Sequence, residues 1–205
     1  MRQGDFWRRR WPRASLLGLA AGALLLWWCW PALAPRLRPQ SGALAVVVLA
    51  EDPRRTAAAL EIWPRIPSAW LVPQAGPSLQ RAVQAQLQAR QLPPSLRERV
   101  RPLTCGLDTL GQITCLAEAL RHWRRSPNGP AIGSVLLVTG EEHLPRALAV
   151  ARIVLGSQGL PVSGWHANTQ AAPEDPLRTQ RDRLRAQLWR ATGWDGHPPF
   201  LGRGP

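Results

Sequence analysis

Apolar positions fall along this chain in three rhythms. From Ala14 to Ala34, ASLLGLAAGALLLWWCWPALA, no charge interrupts a run long enough to cross roughly 30 Å of hydrocarbon as a helix. From Ala43 to Ala50, ALAVVVLA, and again from Ile132 to Thr139, short β-branched runs are apolar at nearly every position, as strands covered on both faces are. In a third kind of segment, such as PSLQRAVQAQLQARQL from Pro77 to Leu92, Leu79, Val83 and Leu87 recur at helical spacing.

Read in order, the long run is followed by a polar, Pro-containing linker over 35–42. Then come a strand (Ala43–Ala50), a helix (Pro53–Trp63), a short strand (Ala69–Val72) and a helix ending at Pro93-Pro94. A weak strand over Val100–Leu103 leads to a helix from Thr109 to Trp123, and the turn cluster Ser126-Pro127-Asn128-Gly129-Pro130 precedes the strand ending at Thr139. A helix to Gly156, a strand over Val162–Trp165 and a helix from Glu174 to about Thr192 complete the domain, leaving 196–205 as a flexible tail. Strands alternating with helices imply parallel crossovers. The expected fold is therefore α/β, a Rossmann-like three-layer sandwich with a mostly parallel sheet over 43–195, preceded by one transmembrane helix. About 160 residues behind the anchor suffice for one domain with a proper core.

The anchor has a direction. Arg2, Arg8, Arg9, Arg10 and Arg13 precede the run, while only Arg36 and Arg38 closely follow it, so residues 1–13 are expected in the cytoplasm and the domain on the far side. Trp7 and Trp11 before the run, and Trp27, Trp28 and Trp30 near its end, suit the two headgroup layers. Ala32-Leu33-Ala34 imitates a signal-peptide cleavage site, but Pro35 would follow the scissile bond, which a peptidase accepts poorly; the segment 14–34 reads as an uncleaved signal anchor in the lipid bilayer.

Charge and cysteines then narrow the function. The net charge of +13 comes from 26 basic residues that are all arginine, beside abundant Ala, Gly and Pro. This is the mark of GC-rich coding more than of phosphate recognition, and no basic helix is interleaved with stacking aromatics, so no nucleic-acid partner is expected. Cys29 lies inside the anchor. Cys105 and Cys115 have no histidine at metal-ligand spacing, so no metal is expected; they read as two buried free thiols, with a disulfide as the minority alternative if the domain is exported.

The most specific segment is VLLVTGEEHLPRALAVAR, Val135 to Arg152, in which a strand ends at Thr139-Gly140 and a helix begins near His143. In a parallel sheet ligands sit beyond the carboxyl ends of the strands. There the Thr139 hydroxyl, the amides near Glu142 and His143, and the Arg146 guanidinium can together hold a phosphate or carboxylate, with Arg55 adding charge from the first crossover. Each residue also has a plain structural role open to it: Thr139 as a helix cap, His143 as a surface histidine, Arg146 paired with Glu142. Glu141 and Glu142 would repel an anion. Asp108 reads as the cap of the helix at Thr109, His122 as a partner of its last carbonyls, and His166 and His197 as loop residues.

Thr139, His143 and Arg146 match the V-T-S-x-x-H-x-x-R-A signature of the YdcF-like family, which includes the SanA and ElyC proteins of bacterial envelopes, with Gly140 in place of the usual serine. The resemblance extends over roughly Leu44 to Gly193. Val46-Val47-Val48-Leu49 resembles the family's first strand, but Ala50, Glu51 and Asp52 replace its glycines; Arg55 resembles the arginine of its first helix. Gly76 is kept from a Ser-Gly-Gly loop and Thr109 from a T-x-E-N motif whose Glu and Asn are Gly111 and Gln112 here.

The resemblance implies a membrane-anchored protein on the outer side of a bacterial plasma membrane with a cell-envelope or peptidoglycan-related role; joined to the anion pocket read above, it points to an anionic metabolite, free or lipid-linked, as ligand. It places Arg55, Gly76, Thr109, Thr139 and Arg146 at the ligand, with His143 as general acid or base if there is turnover. Two alternatives stand beside it: a non-enzymatic envelope factor with a protein partner, and a nucleotide-type site of the S-adenosylmethionine kind.

Overall fold

A computed structural model describes the backbone of residues 11–194, and side chains from Leu16 onward. The basic N-terminus up to Arg10, His197 and the tail 196–205 lie outside the described residues. Helix α1, Trp11–Leu37, is followed by strand β1, Ala43–Leu49, and helix α2, Pro53–Ile62. Strand β2, Trp70–Gln74, leads to α3, Pro77–Ala89, and to a one-turn helix α4, Pro94–Arg97. Helix α5, Thr109–Arg125, strand β3, Ile132–Gly140, helix α6, Leu144–Val154, strand β4, Val162–Ala167, and helix α7, Pro176–Thr192, complete the chain.

The four strands form one parallel sheet in the order β2-β1-β3-β4. The expected strand over 100–103 makes only two isolated bridges to β2, at Leu71–Val100 and Gln74–Leu103, and so remains a rudimentary edge. Because β1 is buried throughout its second half, its side chains feed two cores. Val46 and Val48 pack with Ala59, Leu60 and Trp63 around α2 and with Val83 of α3. Ala45, Val47 and Leu49 pack on the opposite face with Leu110, Ile113 and Leu116 of α5 and Val150 of α6. The result is three layers, α2 and α3 over one face and α5, α6 and α7 over the other.

Within α1, Leu16–Leu37 is long and apolar enough to cross a membrane. The helix does not stop at Pro35, as the linker assignment over 35–42 assumed; it runs through Pro31 and Pro35 to Leu37. Tertiary contact accounts for this. Pro31 and Ala34 are buried, and the Trp30 indole donates to the Ser157 carbonyl at 3.3 Å. Gly156 lies so close to Pro31 that a Cβ there would collide with the Pro31 carbonyl. Gly156 opens the 3-10 turn after α6, so the last turns of α1 dock beside the start of β4, at the amino end of the sheet.

Candidate functional site

β1 sits between β2 and β3, and the chain leaves β1 toward β2 but leaves β3 toward β4. The loops beyond the carboxyl ends of β1 and β3 therefore part, which is the usual place of a ligand crevice in such sheets. Glu51 and Arg55 arrive there after β1, Gln74 at the end of β2, Thr109 and Gln112 in the first turn of α5, and Thr139, Glu142, His143 and Arg146 at the end of β3. The connection 168–175 between β4 and α7 adds Thr169 and Glu174.

His143 is the N-cap of α6 and is 2% exposed, so it is not a surface histidine. Its Nε2 lies 3.2 Å from the Thr109 hydroxyl and its Nδ1 2.7 Å from a Glu174 carboxylate oxygen. Burial is the largest influence on the imidazole and lowers its pKa; Glu174 works against that, and the charges of Arg146 and Arg55 add to it. The ring is neutral near pH 7. Its Nδ1–H then donates to Glu174, and Nε2 accepts from Thr109.

Both arginines of the candidate site are held by carboxylates from within the chain. Arg55 donates to Glu142 at 3.2 Å, to Glu51 at 3.3 Å and to the Leu49 carbonyl at 3.3 Å. Arg146 meets Glu174 at 2.7 Å and Asp182 of α7 at 3.2 Å; it does not pair with Glu142. Burial raises the Glu142 and Glu174 carboxyls, but hydrogen bonds from Thr169 and Arg55 to the first, and from His143 and Arg146 to the second, leave both below the ordinary carboxylate range.

The amides expected to cradle an anion are also engaged. The Glu141 N–H donates to the Ala167 carbonyl, the His143 N–H to the Gly140 carbonyl, and the Glu142 carboxylate folds back on its own N–H. What the pairs leave over is a set of buried polar atoms without a partner among the described residues: the Thr139 hydroxyl, the Gln74 and Gln112 amide oxygens and Arg55 Nε. Their residues are at most 7% exposed. They come from β3, β2, α5 and α2, the elements that meet at the parted loops. Buried polar atoms are rarely left unsatisfied, so their convergence makes this strand end the candidate site.

Gly76 follows β2 at the same end of the sheet, but a Cβ there would meet nothing within 4 Å, so no close approach requires glycine. It caps α3 through its carbonyl, which accepts from Leu79 and Gln80. Gln74 is the residue of this strand end that enters the site, giving its amide N–H to the Gln112 carbonyl at 2.6 Å. Gly140, where the resembled signature has serine, leaves the space that the Glu142 carboxylate and Thr169 hydroxyl fill. Asp108 caps α5 as expected, accepting from the Gly111 N–H at 2.8 Å, and also binds Arg185 at 2.7 Å. His166, expected in a loop, is an exposed residue of β4.

Cys105 and Cys115 are not free thiols: they form a disulfide, their Cα atoms 6.2 Å apart. Gly106, with φ +83°, turns the chain so that Cys105 comes back against the second turn of α5. The bridge thus braces the helix start that carries Thr109 and Gln112. Among the described residues no group of His, Cys, Asp and Glu is arranged to hold a metal ion. No known protein family matches the chain, and no curated protein does.

Proposed function

We propose that α1 anchors this chain in a bacterial plasma membrane and that the domain, on the outer side, binds an anionic metabolite in exchange for the Glu174 carboxylate. The observation that carries the reading is the convergence, where the β1 and β3 loops part, of buried Arg55 and half-buried Arg146 with buried polar atoms, Arg55 Nε among them, that no described protein group satisfies. Glu174 stands where the anionic group of a ligand would meet Arg146 and His143. It belongs to a connection without regular structure, so its displacement would break no helix or strand.

Binding without turnover is the favoured form. Thr109, His143 and Glu174 have the order of a nucleophile, its base and an orienting group, but Thr109 is 3% exposed, too buried for a substrate to reach its hydroxyl without a rearrangement. The outer-side assignment draws on the arginine imbalance around α1 and is supported by the disulfide, which persists in oxidising compartments. The envelope role draws on the resemblance to YdcF-like proteins.

The test is the thermal midpoint of the full chain in neutral detergent against pyrophosphate, citrate and S-adenosylmethionine. A saturable rise with one of the two anions is expected. Glu174→Gln should respond at concentrations lower by one to two decades, the equivalent of a charge-assisted contact of about 1.5 to 3 kcal/mol. If Glu174→Gln responds no better than wild type, the exchange reading is wrong; a response to S-adenosylmethionine alone would select the nucleotide-type site. A C-terminal phosphatase fusion should be active, and an inactive one would move the domain to the cytoplasm.

A further inference from the structure

A second concavity, of about 700 Å³, lies at the other end of the molecule, between α1 and the α6, β4 and α7 side of the domain. Trp28, Ala32 and Arg36 form its α1 wall; they are four residues apart and so share one helix face. Arg152 near the end of α6 and Arg183 of α7 face them, with Val162 of β4 between. Among the described residues no carboxylate lines the groove. Among the described residues, neither Arg152 nor Arg183 makes an ion pair, and both side chains are exposed. The neighbouring Asp182 is buried and committed to Arg146, Arg181 and Arg185.

Position completes the chemistry. The helix face upstream of Trp28 is exposed and apolar, so the groove lies along the carboxyl end of the segment that would cross the membrane, where α1 would approach the headgroup layer. Tryptophans belong to that layer, and two more arginines are drawn onto them: Arg190 stacks over Trp27 at 4.2 Å and Arg38 over Trp30 at 5.6 Å. Guanidinium groups match phosphate geometry, and an apolar wall beside them suits an acyl chain. We propose that this groove holds one anionic phospholipid of the anchoring membrane, its phosphate among Arg36, Arg152 and Arg183 and its acyl chains along Trp28 and Ala32. The proposal rests on α1 spanning the membrane and is independent of the ligand at the far end of the sheet.

The full chain, extracted in a neutral maltoside detergent, is mixed with equimolar dioleoyl phosphatidylglycerol and dioleoyl phosphatidylcholine, and native mass spectrometry reads which lipid is retained. Phosphatidylglycerol should be retained at least tenfold in preference. The Arg152→Gln/Arg183→Gln double variant should lose that preference, by on the order of tenfold to thirtyfold from two juxtamembrane charges. Its thermal midpoint without lipid should stay at the wild-type value, because neither side chain has a partner to lose. Equal retention of the two lipids, or an unchanged preference in the double variant, overturns the proposal. So does displacement of phosphatidylglycerol by millimolar inorganic phosphate, which would make the groove a free-anion site, or a dimer mass in place of a lipid adduct, which would put a second copy in it. Release of the chain from membranes by carbonate would instead remove the anchor reading, a failure visible without any lipid measurement.

Discussion

Arg146→Ala separates a committed internal ion pair from a free ligand-binding arginine. The Arg146 side chain is 13% exposed, and it faces Glu174 and Asp182, whose side chains are 19% and 1% exposed. Truncating one partner of a buried pair costs about 3 to 5 kcal/mol when the other charge is left alone. Here the cost is smaller, since Asp182 keeps Arg181 and Arg185, and Glu174, though left without a cation, keeps the hydrogen bond from neutral His143. A loss of about 2 to 3 kcal/mol is therefore expected. For a domain of this size each kcal/mol moves the thermal midpoint by roughly 2 to 4 °C, so circular dichroism should find it lower by about 4 to 12 °C. An arginine free for a ligand, as the strand-end pattern alone implies, would leave folding nearly unchanged on this substitution. A double-mutant cycle with Glu174→Gln gives the pair term directly and should exceed about 1 kcal/mol, against about 0.3 to 0.5 kcal/mol for an exposed pair. A midpoint within about 1 °C of wild type would refute the reasoning and return Arg146 to the role of an idle cation.

The site also sets a pH dependence. His143 resists protonation in the fold, so its contribution is full above the ordinary histidine value of about 6.5 and declines as pH falls below it; Glu142 and Glu174, held below the carboxylate range, add a second loss below about 4.5. The thermal midpoint should fall between pH 7 and 5.5, and His143→Gln should flatten that limb; a midpoint rising on acidification would mean that the imidazole is charged in the fold. Reducing the Cys105–Cys115 bridge, ten residues apart in sequence, should cost about 2 to 3 kcal/mol by loop closure, and thiol titration of the unfolded native chain should find Cys29 alone. Gly156→Leu should undock α1 without unfolding the sheet, read as faster proteolysis around 37–42 at an unchanged thermal midpoint.

Much of the scaffold is legible in the sequence because buried parallel strands advertise themselves: ALAVVVLA has no polar position to misread, and the Thr139–Gly140 strand end is followed by an equally plain helix. The basic residues of the site are legible too, since strand ends in such a fold point to His143 and Arg146 and the first crossover to Arg55. Their partners are not. Glu174 and Asp182 lie 28 and 36 residues from Arg146, and nothing local ties them to it. Glu174 was read as the first residue of the last helix, whereas Asp175 caps that helix and Pro176 opens it. An acidic cap directly before proline was the available signal, and it would have left Glu174 outside the helix and able to reach inward. The same holds at Pro35: proline normally ends a helix, and only the packing of Pro31 and Ala34 on the domain carries α1 two residues further.

The docking of α1 against Gly156 has one further consequence, for reach. An anchor joined by a loose tether lets its domain lie down on the bilayer, whereas a helix seated on the amino end of the sheet holds the opposite end up. β1 alone is 7 residues long, so the crevice beside Glu174 stands on the order of 20 Å beyond the anchor contact. If α1 is the membrane anchor proposed above, soluble metabolites would reach that crevice unhindered. On that reading a ligand still fixed to a lipid would arrive only if its polar part could climb that height, so the anchor would work as a ruler that admits long headgroups and leaves short ones below.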